Sequence, residues 1–180
     1  VMVSGLFYIR HSQGQYSTGL VMVNFAVYLP LFFFELFDRP DLLNEVYRDL
    51  GFRANYLVGK GDEFHWWSPA TLFSSLFIHG GPFHLMGNMI ILLMMGAPFE
   101  ERVGSKAFLT IYMVGGIGGS LIFGLLALID GSVEYGMLNP ATLGVGASGA
   151  IFAIMGGFVR LYPNDEIPML MVVIFLPRVP

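Results

Sequence analysis

Three apolar runs, each about as long as a bilayer is thick, restrict what this chain can fold into. They are Leu20 to Phe37, Pro82 to Phe99 and Ala107 to Ile129. A helix of about 20 apolar residues crosses the ~30 Å hydrocarbon core of a membrane. In that medium every backbone N–H and C=O must be satisfied within the segment, so each run reads as a helix. Asn24 and Pro30 fall inside the first run, where a lone proline bends a membrane helix without breaking it. The third carries Gly115, Gly116, Gly118, Gly119, Ser120 and Gly124, small residues that let neighbouring helices approach closely, including the Gly115-x-x-x-Gly119 pair.

Composition agrees with a membrane setting. Hydrophobic residues make up 55% of the 180 and charged residues only 12%, too few to cover a soluble surface. The net charge of −4, with nine scattered Lys and Arg, argues against a nucleic-acid partner. With no cysteine there are no disulfides, no thiolate catalysis and no Cys-based zinc site. No internal repeat is evident, and Lys and Arg divide too evenly between alternate loops to orient the chain. The expected architecture is all-α: a polytopic membrane helix bundle forming one domain over residues 1–180. The chain begins with Val1 and no signal-peptide pattern, so truncation at both ends is expected.

Between the first two runs, Asp38 to Ile78 is too polar to cross and too aromatic for a plain linker. Leu42, Leu43, Val46, Tyr47 and Leu50 recur at helical spacing among Asp41, Glu45, Arg48 and Asp49, as in a helix lying in the membrane surface. Trp66 and Trp67 suit the headgroup level. A small soluble cap is the alternative for this stretch.

The segment Ser148 to Leu161 is apolar but short. Fourteen helical residues extend about 21 Å, so this helix cannot span alone. The preceding Asp130 to Ala147 is rich in Gly, Asn and Pro, and irregular backbone at membrane depth is tolerated only where protein buries it or water reaches it. Ser148 is therefore expected to begin a helix partway down, at the floor of a wet cavity. Ile167 to Leu176 is again too short to cross and is expected to start a fifth helix.

The turn Gly144-Val145-Gly146-Ala147-Ser148-Gly149 satisfies G-x-G-x-x-G, yet Asn139-Pro140-Ala141-Thr142-Leu143 is no buried strand, so a dinucleotide site is excluded. The hydrolase elbow G-x-S-x-G fails too, because Ala150 stands where its last glycine belongs. Ser148 remains either the N-cap of the helix it opens or a nucleophile. His84 and Asn88 are four residues apart and share one helix face, where both need partners or water. Imidazole and carboxamide N–H groups can stabilise an oxyanion, with His79 in support, or serve as polar glue between helices. His65, His79 and His84 lack the spacing of a zinc site.

Taken in order, His79-x4-His84-x3-Asn88, Glu100-x-Arg102-x-Gly104-Ser105 and Gly146-Ala147-Ser148-Gly149 resemble the rhomboid family of intramembrane serine proteases, over about Leu20 to Leu161. The resemblance implies that Ser148 is the nucleophile and that His84, Asn88 and the Ser148 backbone N–H line an oxyanion hole. It implies that Gly146 and Gly149 keep backbone close to substrate and neighbouring helices, and that Glu100, Arg102 and Gly104 are structural. It implies transmembrane protein substrates in a lipid bilayer, and neither metal nor organic cofactor.

One departure is large. The family pairs its serine with a histidine from a later helix, and no histidine follows His84. That histidine is expected beyond residue 180, and the chain as written is expected to be inactive. The alternative reading is a rhomboid-like pseudoprotease that binds membrane-protein clients without cutting them; a small channel using His79, His84 and Asn88 is a third.

Overall fold

The computed structural model describes residues 14–58, 65–129 and 143–163. Five helices dominate: α1 (Gln15–Leu36), α2 (Pro40–Leu50), α3 (Pro82–Val103), α4 (Ser105–Ile129) and α5 (Ser148–Leu161). Of these, α1, α3 and α4 are long and apolar enough to cross a membrane. The chain is an integral membrane helix bundle, and among the described residues it is all-α apart from one bridge of two residues on each side. The expected start of a fifth membrane helix at Ile167 and the loop Asp130 to Thr142 lie outside the described residues.

The crossing helices reach further than hydropathy suggests. Polar residues from Gln15 to Gly19 belong to α1 because Glu100, a buried carboxylate on α3, accepts the backbone N–H groups of Tyr16 (3.1 Å) and Ser17 (2.8 Å). A carboxylate there satisfies first-turn donors and meets the positive end of the helix dipole. Helix α3 continues past Phe99 to Val103 although Pro98 lies within it. Proline lacks an N–H and crowds the carbonyl four residues earlier. The turn before it, Leu92–Gly96, widens to π-helical geometry, which accommodates that mismatch.

Leu85, Met89, Leu92, Phe108 and Ile154 form the middle of the core, so α3, α4 and α5 share it. Helix α5 lies along α4 in the opposite direction. A side chain at Gly115 would strike Ala153, and one at Gly119 would sit 3.0 Å from the Cα of Gly149. The small-residue stripe of α4 is therefore what lets α5 come so near. Gly119 is ten residues short of Ile129, so the start of α5 stands about 15 Å along α4 from that end.

The stretch between α1 and α3 folds onto the same end. Phe52–Arg53 pairs antiparallel with Leu143–Gly144, in the register Phe52 to Gly144 and Arg53 to Leu143. Gly124 of α4 leaves the space that Phe52 and Leu57 fill. Short helical turns over Ser68–Ala70, Thr71–Ser74 and Ser75–Phe77 then lead to His79. Trp66 is 86% exposed and packs edge-on against Trp67, which stacks on His65 at 4.3 Å.

Candidate active site

Ser148 is the first residue of α5, but it does not cap it. The N-cap is Ala147 and no side chain bonds the helix start, so the capping reading of this serine is corrected. The first intrahelical bond of the turn runs from the Ile151 N–H to the Ala147 carbonyl (2.9 Å). The earlier N–H groups of the first turn, that of Ser148 among them, have no intrahelical acceptor and point along the helix axis. The serine hydroxyl thus stands beside backbone donors at the positive end of a helix.

Gly146 sets the turn before it. Its φ of 107° lies in a region that side chains rarely adopt. A Cβ there would come within 2.7 Å of Cε1 and Nε2 of His84 and 3.4 Å of Nδ2 of Asn88. Its N–H donates to the Ser75 carbonyl (2.8 Å). Glycine is thus required twice over, by conformation and by the two α3 side chains closing on it.

On α3, whose N1 residue Pro82 fixes its start, His84 and Asn88 are stacked one turn apart. Asn88 is buried, and its Nδ2 stands 3.0 Å from Nε2 of His79. An amide nitrogen can only donate, so Nε2 of His79 accepts. The His79 ring is fully buried and meets the His84 ring edge-on at 5.1 Å. Burial first, and then the neighbouring His84, push His79 down to about 4, which keeps it neutral near pH 7.

Ser148, His84, Gly146 and Gly149 line one cavity of about 700 Å³, open on one side, together with Gly115 and Gly119 of α4. Its walls are mostly apolar, and the polar groups gather where α5 begins. Among the described residues, no group of three His, Cys, Asp or Glu side chains is placed to hold a metal ion.

Glu100, Arg102 and Gly104 lie elsewhere, at the opposite end of α3. Ser105 Oγ donates to Glu100 (2.7 Å), in addition to the two α1 amides. Arg102 is exposed. Gly104, at a φ of 85°, makes the turn between α3 and α4: its N–H donates to the Glu100 carbonyl and its own carbonyl accepts from Phe108. His65 is held by its stack on Trp67 and does not line the cavity. Residues that sequence reasoning passed over also line it, Ser75, Ile122, Phe123 and Phe152. Phe152 was findable, one turn beyond Ser148; Ser75 reaches the cavity only because its segment folds under Gly146.

Comparison with known proteins identifies the family. Residues 63–179, more than half of the chain, match the family profile described as the rhomboid domain. RHOMBOID-like protein 5 of Arabidopsis thaliana is 30% identical over 148 residues, covering 73% of this chain and 43% of that protein. Rhomboid-like protease 3 of Toxoplasma gondii is 37% identical over 82 residues, 46% of this chain and 27% of its own. Rhomboid protease GluP of Bacillus subtilis (strain 168) is 28% identical over 134 residues, 74% of this chain and 23% of its own. The chain spans less than half the length of these relatives. No solved structure matches. With a matched domain that takes in α3, α4 and the glycine-framed serine at the head of α5, the chain belongs to the rhomboid family.

Proposed function

We propose that the protein is a multi-pass intramembrane serine endopeptidase that cuts a peptide bond in or beside a transmembrane helix of another protein. The observation that supports this best is the convergence of Ser148, His84 and the Gly146 turn on one cavity at the start of a helix too short to span. In this reading the Ser148 oxygen attacks the peptide carbonyl carbon. Its proton passes to a base, and the carbonyl electrons move onto the oxygen. The oxyanion takes hydrogen bonds from His84, from Asn88 and from the backbone N–H of Ser148, donors that strengthen as charge develops. Collapse breaks the C–N bond, the departing amine takes the proton, and water from the cavity then hydrolyses the acyl-serine.

The base is a histidine that residues 1–180 do not supply, by the family's Ser-His pairing. His79 is engaged with Asn88, and His65 is stacked away from the cavity. Glu100, Arg102 and Gly104 act in folding in this reading, and no cofactor takes part.

A fluorophosphonate probe on the full-length protein tests the proposal. Wild type is expected to become labelled and Ser148→Ala to stay unlabelled. Labelling that survives the substitution removes Ser148 from the mechanism. A wild-type protein that binds membrane-protein clients without labelling is instead a pseudoprotease.

A further inference from the structure

Helix α2 packs Leu43, Val46 and Tyr47 against the core and leaves Asp41, Asn44, Glu45 and Asp49 exposed. Its hydrogen bonds tie it to the site as well. The carbonyl of Arg48 accepts from the Tyr56 hydroxyl (3.2 Å), and that of Leu50 accepts from the Ser74 hydroxyl (2.7 Å). Carbonyls in the last turn of a helix have no intrahelical donor, and here the following loop supplies it. The residue after Ser74 holds the Gly146 N–H through its own carbonyl (2.8 Å), so the end of α2 is joined to the turn before Ser148.

Tyr47 makes a second connection, toward Asn88. Its hydroxyl donates to the His79 carbonyl (3.4 Å). His79 lies in the irregular run between the turn Ser75–Phe77 and α3, where neither helix nor ladder fixes the backbone. A side-chain bond to that peptide therefore bears on where the His79 ring stands. The ring accepts from Asn88, whose amide closes on Gly146. Hydroxyl, peptide, imidazole and carboxamide form one continuous chain from the surface helix to the site.

We propose that Tyr47 is a positioning residue: its hydroxyl fixes the His79 peptide and, through the His79 ring, the direction of the Asn88 amide. This rests on the proteolytic reading, in which Asn88 helps to hold the oxyanion. Such a donor is effective only when held within about 0.5 Å of its productive place, so slack at His79 weakens the transition state more than substrate binding.

The test uses the full-length protein in phosphatidylcholine liposomes with a transmembrane peptide that it cleaves. Tyr47→Phe deletes the hydroxyl and keeps the ring that packs on the core. It is expected to lower kcat about three- to fivefold with KM within about twofold of wild type. Tyr56→Phe, which removes the bond to the Arg48 carbonyl of the same helix, should lower the denaturation midpoint by a similar amount and keep kcat within about twofold. In a His79→Ala background Tyr47→Phe should add less than about 1.5-fold, because its effect passes through the missing ring. An unchanged kcat in Tyr47→Phe, a loss that multiplies with His79→Ala, or an equal loss in Tyr56→Phe overturns the inference with proteolysis intact. Nitrogen NMR of the histidine rings in Ser148→Ala requires no cleavage. There Tyr47→Phe should shift the His79 ring signals, assigned by their loss in His79→Ala, and leave those of His65 in place. Unmoved His79 signals overturn the inference; a shift in a protein whose wild type cuts nothing counts against the proteolytic reading and supports the hold of Tyr47 on His79.

Discussion

The carboxamide nitrogen of Asn88 stands 3.0 Å from Nε2 of His79, so a fully buried ring fixes the direction of the side chain that closes on Gly146. An amide held this way keeps a second N–H, although Asn88 is buried behind Gly146 and is not itself among the residues lining the cavity.

Asn88→Ala is expected to lower kcat by about 10²–10³ with little change in KM, as the loss of one oxyanion donor does. His79→Ala should cost less and should add little to Asn88→Ala, because His79 acts through Asn88. Steady-state cleavage by the two single variants and the double variant checks this; fully multiplicative losses would separate the two residues.

Acid should weaken the fold through His79. Its folded value of about 4 lies below the ordinary 6.5, so below pH 6.5 the unfolded chain binds a proton that the folded chain refuses. The stability from this site is therefore complete above about 6.5, declines as pH falls, and has lost ~3 kcal/mol by pH 4. Denaturation midpoints in detergent between pH 7 and 4 measure the decline, and His79→Asn should flatten it.

Gly146→Ala places a Cβ against the His84 ring and strains a backbone at φ 107°. The strain alone is worth about 1–3 kcal/mol, and the turn can relieve it only by moving Ser148 or His84. Probe labelling should fall at least about tenfold while helix content by circular dichroism stays constant. Unchanged labelling would falsify the placement of this turn.

Glu100→Ala removes the acceptor of two α1 amides and the Ser105 hydroxyl, all far from the cavity. It should cost stability, about 2–4 kcal/mol, and leave the rate per folded molecule intact. Glu100→Gln keeps one oxygen acceptor and should lose less. A rate defect in folded Glu100→Gln would assign the residue to chemistry.

Hydropathy makes the crossing helices α1, α3 and α4 legible, because lipid leaves the backbone few choices. Their ends are less so. The start of α1 depends on Glu100, more than 80 residues away, and the continuation of α3 through Pro98 depends on a widened turn that leaves no compositional trace. In the site, His84 and Asn88 are recognisable as one face from their spacing alone. That Ser148 is not a cap, that Gly146 is gripped by His84 and that the Ser75 carbonyl holds the Gly146 turn are facts of tertiary contact between distant segments. Local pattern carries no information on such pairings.

The bridge between Phe52–Arg53 and Leu143–Gly144 has a consequence for biogenesis. The residues leading into Ser148 find their partner strand in a loop made long before them, and that loop must wait while α3 and α4 enter the bilayer. Until both helices are in place this bridge has no partner to close on, so the turn that presents Ser148 is among the last parts of the fold to be fixed.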